Sequence, residues 1–104
     1  MISHNVLFWL KSDKVEEGRG VIIQRAVNDL SKIEGVSHLI AGPPLPTGRE
    51  VVDTSYDVGV SMQFKTTMEL DNYHHDPIHQ KFVKDCIEPY VDKVVVFDFS
   101  QSYK

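Results

Sequence analysis

Between Tyr73 and His79 the chain places a phenol, three imidazoles and a carboxylate in seven consecutive residues, Tyr-His-His-Asp-Pro-Ile-His, and His4 adds another imidazole near its start. These groups can move protons. An imidazole in a half-apolar cleft titrates near neutrality, and a tyrosine supplies a hydroxyl donor, or a phenolate where its pKa is lowered. His79 precedes Phe82, Val83 and Cys86 by three, four and seven residues, so on a helix it shares their apolar face and points inward. His4, on a strand, could orient either partner. The same side chains also admit a plainer role at the edge of a core, packing and hydrogen-bonding.

Imidazole and carboxylate ligate divalent ions, but His74 and His75 are adjacent and diverge on a helix, and Pro77 interrupts the geometry between His75 and His79. A solvated helix cap is expected there, and no metal site. Cys86 is the single cysteine, which excludes an intrachain disulfide and leaves a small core residue as its expected role. Arg49, Glu50 and Asp53 fall on a loop, where charges are usually solvated. No Gly-rich phosphate loop, nucleophile elbow or paired-carboxylate signature occurs, so nucleotide and hydrolase chemistry lose most of their support.

The elements that would position these residues follow from periodicity. Ile2, His4, Val6, Phe8 and Leu10 alternate as a strand whose other face, Leu7 and Trp9, is also partly apolar. Ser12 to Glu17 reads as a polar turn. From about Val21 the period becomes helical, with Ile22, Ile23, Ala26, Val27, Leu30 and Ile33 on one face and Gly35 able to end the helix in the left-handed conformation; Gly18 and Gly20 obscure its start. Val36, His38 and Ile40 alternate with Ser37, Leu39 and Ala41 as a second strand running into the loop from Gly42 to Gly48. Tyr56, Val58, Val60, Met62 and Phe64 form the third strand, with small or polar residues opposite. Thr66 and Glu69 make a capping box for a short helix through Leu70 and Tyr73. Asp76 and Pro77 open another, which buries Ile78, Phe82, Val83, Cys86 and Ile87 before Pro89 ends it. Val91 to Phe99 is the last strand.

This βαββαβ order is that of an α+β, ferredoxin-like domain over residues 1–104, with a four-stranded antiparallel sheet and its helices on one face. Apolar residues on both faces, in Leu7, Trp9, Val94 and Val96, predict a symmetric partner on the bare face. The chain has 104 residues, 41% hydrophobic and 25% charged, and a net charge of -4, an ordinary globular balance that argues against a nucleic-acid surface. Apolar runs are far shorter than the roughly 20 residues a membrane helix needs, and the start lacks signal-peptide character, so a cytoplasmic protein is expected, without membrane partners.

Several stretches resemble the stress-responsive A/B barrel family, also called dimeric α/β barrel or Dabb proteins: His4 to Lys11, the Gly35-Val36 turn, Val51 to Gly59, Asp76 to His79 and Asp92 to Phe99. The resemblance implies that two protomers pair sheet to sheet into a barrel. Activity in the family is mostly unassigned, but plant members include polyketide cyclases that use a Tyr and a His, before and within a His-Pro-x-His motif, as an acid/base pair. Tyr73 and His79 match those positions, and His4 matches a first-strand His of the same pocket. Asp76 replaces the motif's first His, and the aromatic residues of a cyclase's first helix are missing. The expectation is therefore a homodimer without cofactor whose pocket between helices and sheet, bordered by His4, Val6, Phe8 and Phe82, holds a small-molecule ligand, with Tyr73 and His79 as candidate catalytic residues. Two other readings are a non-catalytic stress-associated dimer and, from the wider barrel group, a haem-related monooxygenase.

Overall fold

The computed structural model describes residues 1–101. Its elements are β1 (Ile2–Leu10), α1 (Val15–Asn28) followed by a 3-10 turn (Leu30–Lys32), β2 (Ser37–Gly42), β3 (Val58–Phe64), α2 (Thr67–His75), α3 (Pro77–Phe82) continuing as a π turn (Val83–Ile87), and β4 (Val91–Ser100). The sheet runs β2-β3-β1-β4 with every pairing antiparallel, the expected ferredoxin-like topology.

Alternation along β1 and β3 decides which face is covered. Ile2, His4, Phe8 and Leu10 are buried, as are Val58, Val60, Met62 and Phe64, and the register aligns the two sets, from Ile2 opposite Phe64 to Phe8 opposite Val58. Ile22 and Ala26 of α1, Leu30 of the 3-10 turn and Ile33 just after it, Tyr73 of α2, Phe82 of α3 and Cys86 of the π turn complete the core. The helices therefore pack on one face. At ~25 cal/mol per Å² of apolar surface removed from water, this layer supplies most of the drive to fold.

α1 begins at Val15, so the expected polar turn is partly its first turn, and Gly18 and Gly20 lie inside it. Gly18 is there for contact: a Cβ would sit 3.0 Å from the Tyr90 Cβ and 3.1 Å from the Leu10 Cδ1. The helix also stops earlier than its apolar pattern, at Asn28, and Val27 is exposed. Gly35 does take the left-handed conformation, φ 93°. β2 is not a regular alternation, because its register shifts between Ser37 and Ile40 and His38 has φ 51°; Leu39 and Ala41 pack on the core while His38 and Ile40 face solvent.

Thr66 caps α2 by accepting from the Glu69 N–H at 3.2 Å, and the Glu69 carboxylate accepts from the Lys65 N–H at 2.9 Å, one residue before the usual capping-box donor. Asp76 caps α3 through the Ile78 N–H at 2.8 Å, with Pro77 in the first turn. Ile78 itself is exposed, contrary to its expected burial, because the face of this short helix that meets the core is set by His79 and Phe82. Among the described residues no helix is long and apolar enough to cross a membrane.

Candidate functional site

A cavity of about 250 Å³ opens between the sheet and the α2–α3 corner. β1 contributes His4, Val6 and Phe8, α2 contributes Tyr73 and His74, and α3 contributes His79 and Phe82. All six residues expected to share a pocket thus border the same space. β3, the 3-10 turn and the π turn add apolar wall, and β4 adds Val94 and Val96, since its register sets Val94 opposite Phe8, Val96 opposite Val6 and Asp98 opposite His4. Val94 and Val96 therefore belong to the helix side of the sheet. The bare side has Leu7, Trp9, Val95, Phe97 and Phe99 instead, because every paired position shares the face of its partner.

The walls are mostly apolar and the polar groups gather at one end. His4 is buried, and its Nδ1 lies 2.5 Å from the Asp98 Oδ1. A proton on Nδ1 is donated to the carboxylate, which fixes the ring and leaves the lone pair of the neutral tautomer on Nε2. The Tyr73 ring crosses His79 at 4.6 Å and His4 at 5.9 Å, each edge to face. No buried side-chain nitrogen or oxygen among the described residues lacks a hydrogen-bond partner. The Tyr73 hydroxyl, which bonds to none of them, must therefore reach the open space of the cavity.

Burial raises the Tyr73 pKa well above its ordinary value, so the phenol keeps its proton and acts as a donor, and the phenolate alternative is set aside. Burial, then the nearby His74 and His4 imidazoles, push His79 down to about 4. His79 is therefore neutral at pH 7 and does not titrate near neutrality as the sequence suggested. His74 is lowered too, first by burial and then by His4, with Asp98 and Asp71 opposing the shift.

Two members of this cluster escaped the sequence reading. Asp98 belongs to a strand whose apolar residues dominate its pattern, and only the β1–β4 register reveals it as the partner of His4. The sequence offers His74 only as a cap residue beside His75, and the two do diverge: His74 faces the cavity, whereas the His75 Nδ1 meets the Asp71 carbonyl at 2.8 Å. Among the described residues no three His, Cys, Asp or Glu side chains are grouped to hold a metal ion. Cys86 is fully buried, and that burial raises its thiol pKa, which suits packing and not nucleophilic attack. Arg49, Glu50 and Asp53 are exposed on their loop, where Asp53 accepts from the Ser55 N–H at 2.8 Å.

A family model described as "Stress responsive A/B Barrel Domain" matches residues 2–101. No curated protein sequence matches the chain significantly. Among solved structures, a Dabb family protein with a ferredoxin-like fold from Mesorhizobium loti is 32% identical, covering 98% of this chain and 97% of that one with a TM-score of 0.76. A hydroxynitrile lyase from Passiflora edulis is 18% identical, covering 99% and 96% with a TM-score of 0.79. A dimeric protein of unknown function from Bacteroides fragilis is 15% identical, covering 94% and 93% with a TM-score of 0.77. The last two are likenesses of fold.

Proposed function

The chain belongs to the stress-responsive A/B barrel family, and from that premise we propose that it is a homodimer whose cavity holds a small carbonyl-bearing or aromatic metabolite for proton-transfer chemistry. One observation carries the reading: a phenol and three imidazoles converge on the polar end of an otherwise apolar cavity. Its volume of about 250 Å³ is at the small end for ligand pockets, which favours a small metabolite over a haem.

In this reading the Tyr73 hydroxyl donates a hydrogen bond to a substrate carbonyl oxygen, where negative charge develops as a proton leaves the adjacent carbon. The proton acceptor is an imidazole. His79 has its lone pair free at neutral pH but is a weak base, as its low pKa requires. His4, aligned by Asp98 through Nδ1, is the better placed acceptor at Nε2, and His79 then serves to hold the Tyr73 ring and the substrate in place.

The dimer is supported by the bare face, where Ile40, Phe97 and Phe99 remain 70%, 57% and 64% exposed on the side of the sheet away from the helices. Such a face seldom stays in water, and a two-fold partner covers it with the same surface. A cytoplasmic location is part of the same proposal.

The test is deuterium incorporation from D2O at the carbon between the carbonyl groups of a panel of β-keto acids, followed by NMR, with light scattering on the same sample. The expected result is catalysed, pH-dependent exchange by a particle of twice the 11.9 kDa chain mass, lost in the Tyr73→Phe, His79→Ala double variant while the dimer persists. Exchange that matches buffer alone would leave the non-catalytic dimer as the working reading.

A further inference from the structure

The four rings at the polar end of the cavity are unequally enclosed. Tyr73 and His4 are buried at 2% and 3% exposure, and His79 is half-buried. His74 alone among them is an exposed residue, and its ring lies 5.3 Å from His4, 5.2 Å from Tyr73 and 5.2 Å from His79. It is therefore the one of the four in open contact with solvent while touching the other three. Among the described residues no Lys or Arg borders the cavity, and the Asp98 carboxylate is engaged by His4.

We propose that the cavity recognises an anionic head group, the carboxylate of an aromatic or aliphatic acid, and that His74 takes up a proton from solvent as this anion enters. The inference rests on reading the cavity as a ligand pocket and names the class of ligand. An anion that leaves water for apolar walls loses several kcal/mol of solvation unless donors and a positive charge meet it. The Tyr73 hydroxyl is such a donor. With no fixed cation present, the positive charge has to come from protonation of an imidazole.

His74 is the imidazole best placed to provide it. His4 gives its Nδ1 proton to Asp98 and, buried with its ring, keeps Nε2 as the acceptor of the substrate's own proton, and His79 is held down by burial and by the two imidazoles beside it. His74 keeps one side in water, and Asp98 of β4 and Asp71 of α2 favour its charged form. Against that stand its partial burial, His4 of β1 and His75 of α2; Tyr73 of α2, His79 of α3 and Asp76 between the helices complete the titratable surroundings. In the free protein His74 lies below its ordinary pKa and is neutral at pH 7, and a bound carboxylate reverses the balance. Binding then strengthens about tenfold for each pH unit lowered, until the free His74 is itself protonated.

Isothermal titration calorimetry with cinnamate and its neutral isostere cinnamamide, in two buffers of different ionisation heat, tests this directly. Wild-type protein should bind cinnamate with uptake of close to one proton per site. His74→Gln should lose that uptake and weaken cinnamate about tenfold or more, leaving cinnamamide affinity unchanged. His75→Gln, outside the cavity, should behave as wild type. Cinnamate binding without proton uptake, or uptake that survives in His74→Gln, overturns the proposal. If cinnamamide binds and cinnamate does not, the pocket stands and the role of His74 falls. If neither binds to the wild type, the pocket reading falls as well.

Discussion

On the helix-covered face of the sheet, Val58, Val60, Met62 and Phe64 are enclosed by the chain's own helices, and the groups out of place are polar: His4 and the Tyr73 and His74 rings that meet it. On the opposite face the polar groups satisfy one another. Ser61 donates to the Asn5 Oδ1 at 2.8 Å, the Asn5 Nδ2 donates to the Phe97 carbonyl at 2.9 Å, and the Trp9 indole donates to the Ser55 hydroxyl at 3.3 Å, with the Lys93 ammonium 4.7 Å from the Trp9 ring. There the groups out of place are apolar, Ile40, Phe97 and Phe99. The same strands build both faces with the same period of two, so the difference lies in what covers them. A polar group enclosed among apolar walls points to a ligand, and an apolar group left in water points to a partner.

Substitutions on the two faces should therefore fail in different ways. Phe97→Glu places two carboxylates in the proposed interface and removes two aromatic rings from it, at a cost of about 5 kcal/mol of association free energy for the pair. The expected outcome by light scattering is a monomer at micromolar concentration whose near-ultraviolet circular dichroism is that of a folded chain. An unchanged dimer would place the interface elsewhere. Phe64→Ala, on the covered face, empties a fully buried site and should cost about 3–5 kcal/mol of folding stability in urea, measured equally well in the Phe97→Glu background, because the loss is within one chain.

How much of this was legible in the sequence depends on whether a feature is local. The alternation of β3 and the caps at Thr66 and Asp76 need only near neighbours, and both were readable. The start of α1 was not, because Gly18 argues against a helix until Tyr90, distant in sequence, is seen packed on it. The kinked β2 has only a weak signal, since histidine tolerates a positive φ better than most residues but does not require one, and the φ of 51° at His38 falls where the register on β3 shifts. For the site, the inward direction of His79 followed from spacing. Asp98 and the true face of Val94 and Val96 required the register of β4 on β1, which a single strand's pattern does not contain.

The smallest effect separates the faces by pH. His79 holds its proton less tightly in the folded chain, at about 4, than the ordinary 6.5 of an unfolded one, chiefly because of burial and then because of His74 and His4. Between those values the unfolded state binds more protons, so the stability His79 contributes is complete above 6.5 and is lost as the pH falls through about 4. The shift corresponds to about 3 kcal/mol at full weight, and solvent screening at a half-buried ring reduces it to about 1–2 kcal/mol. His79→Gln removes this term, whereas carboxylates that titrate in acid, such as Asp85, held below its ordinary value by its hydrogen bonds to Arg25 and Lys81, are common to both chains and cancel in the difference. Urea unfolding of the Phe97→Glu monomer with and without His79→Gln, at neutral pH and near pH 4, should show a smaller acid loss in the chain lacking His79. Equal losses would mean that the imidazole is hydrated enough to escape the burial on which the covered face depends. A difference that appears only in the dimer would mean that acid sensitivity arises at the interface and not in the cavity.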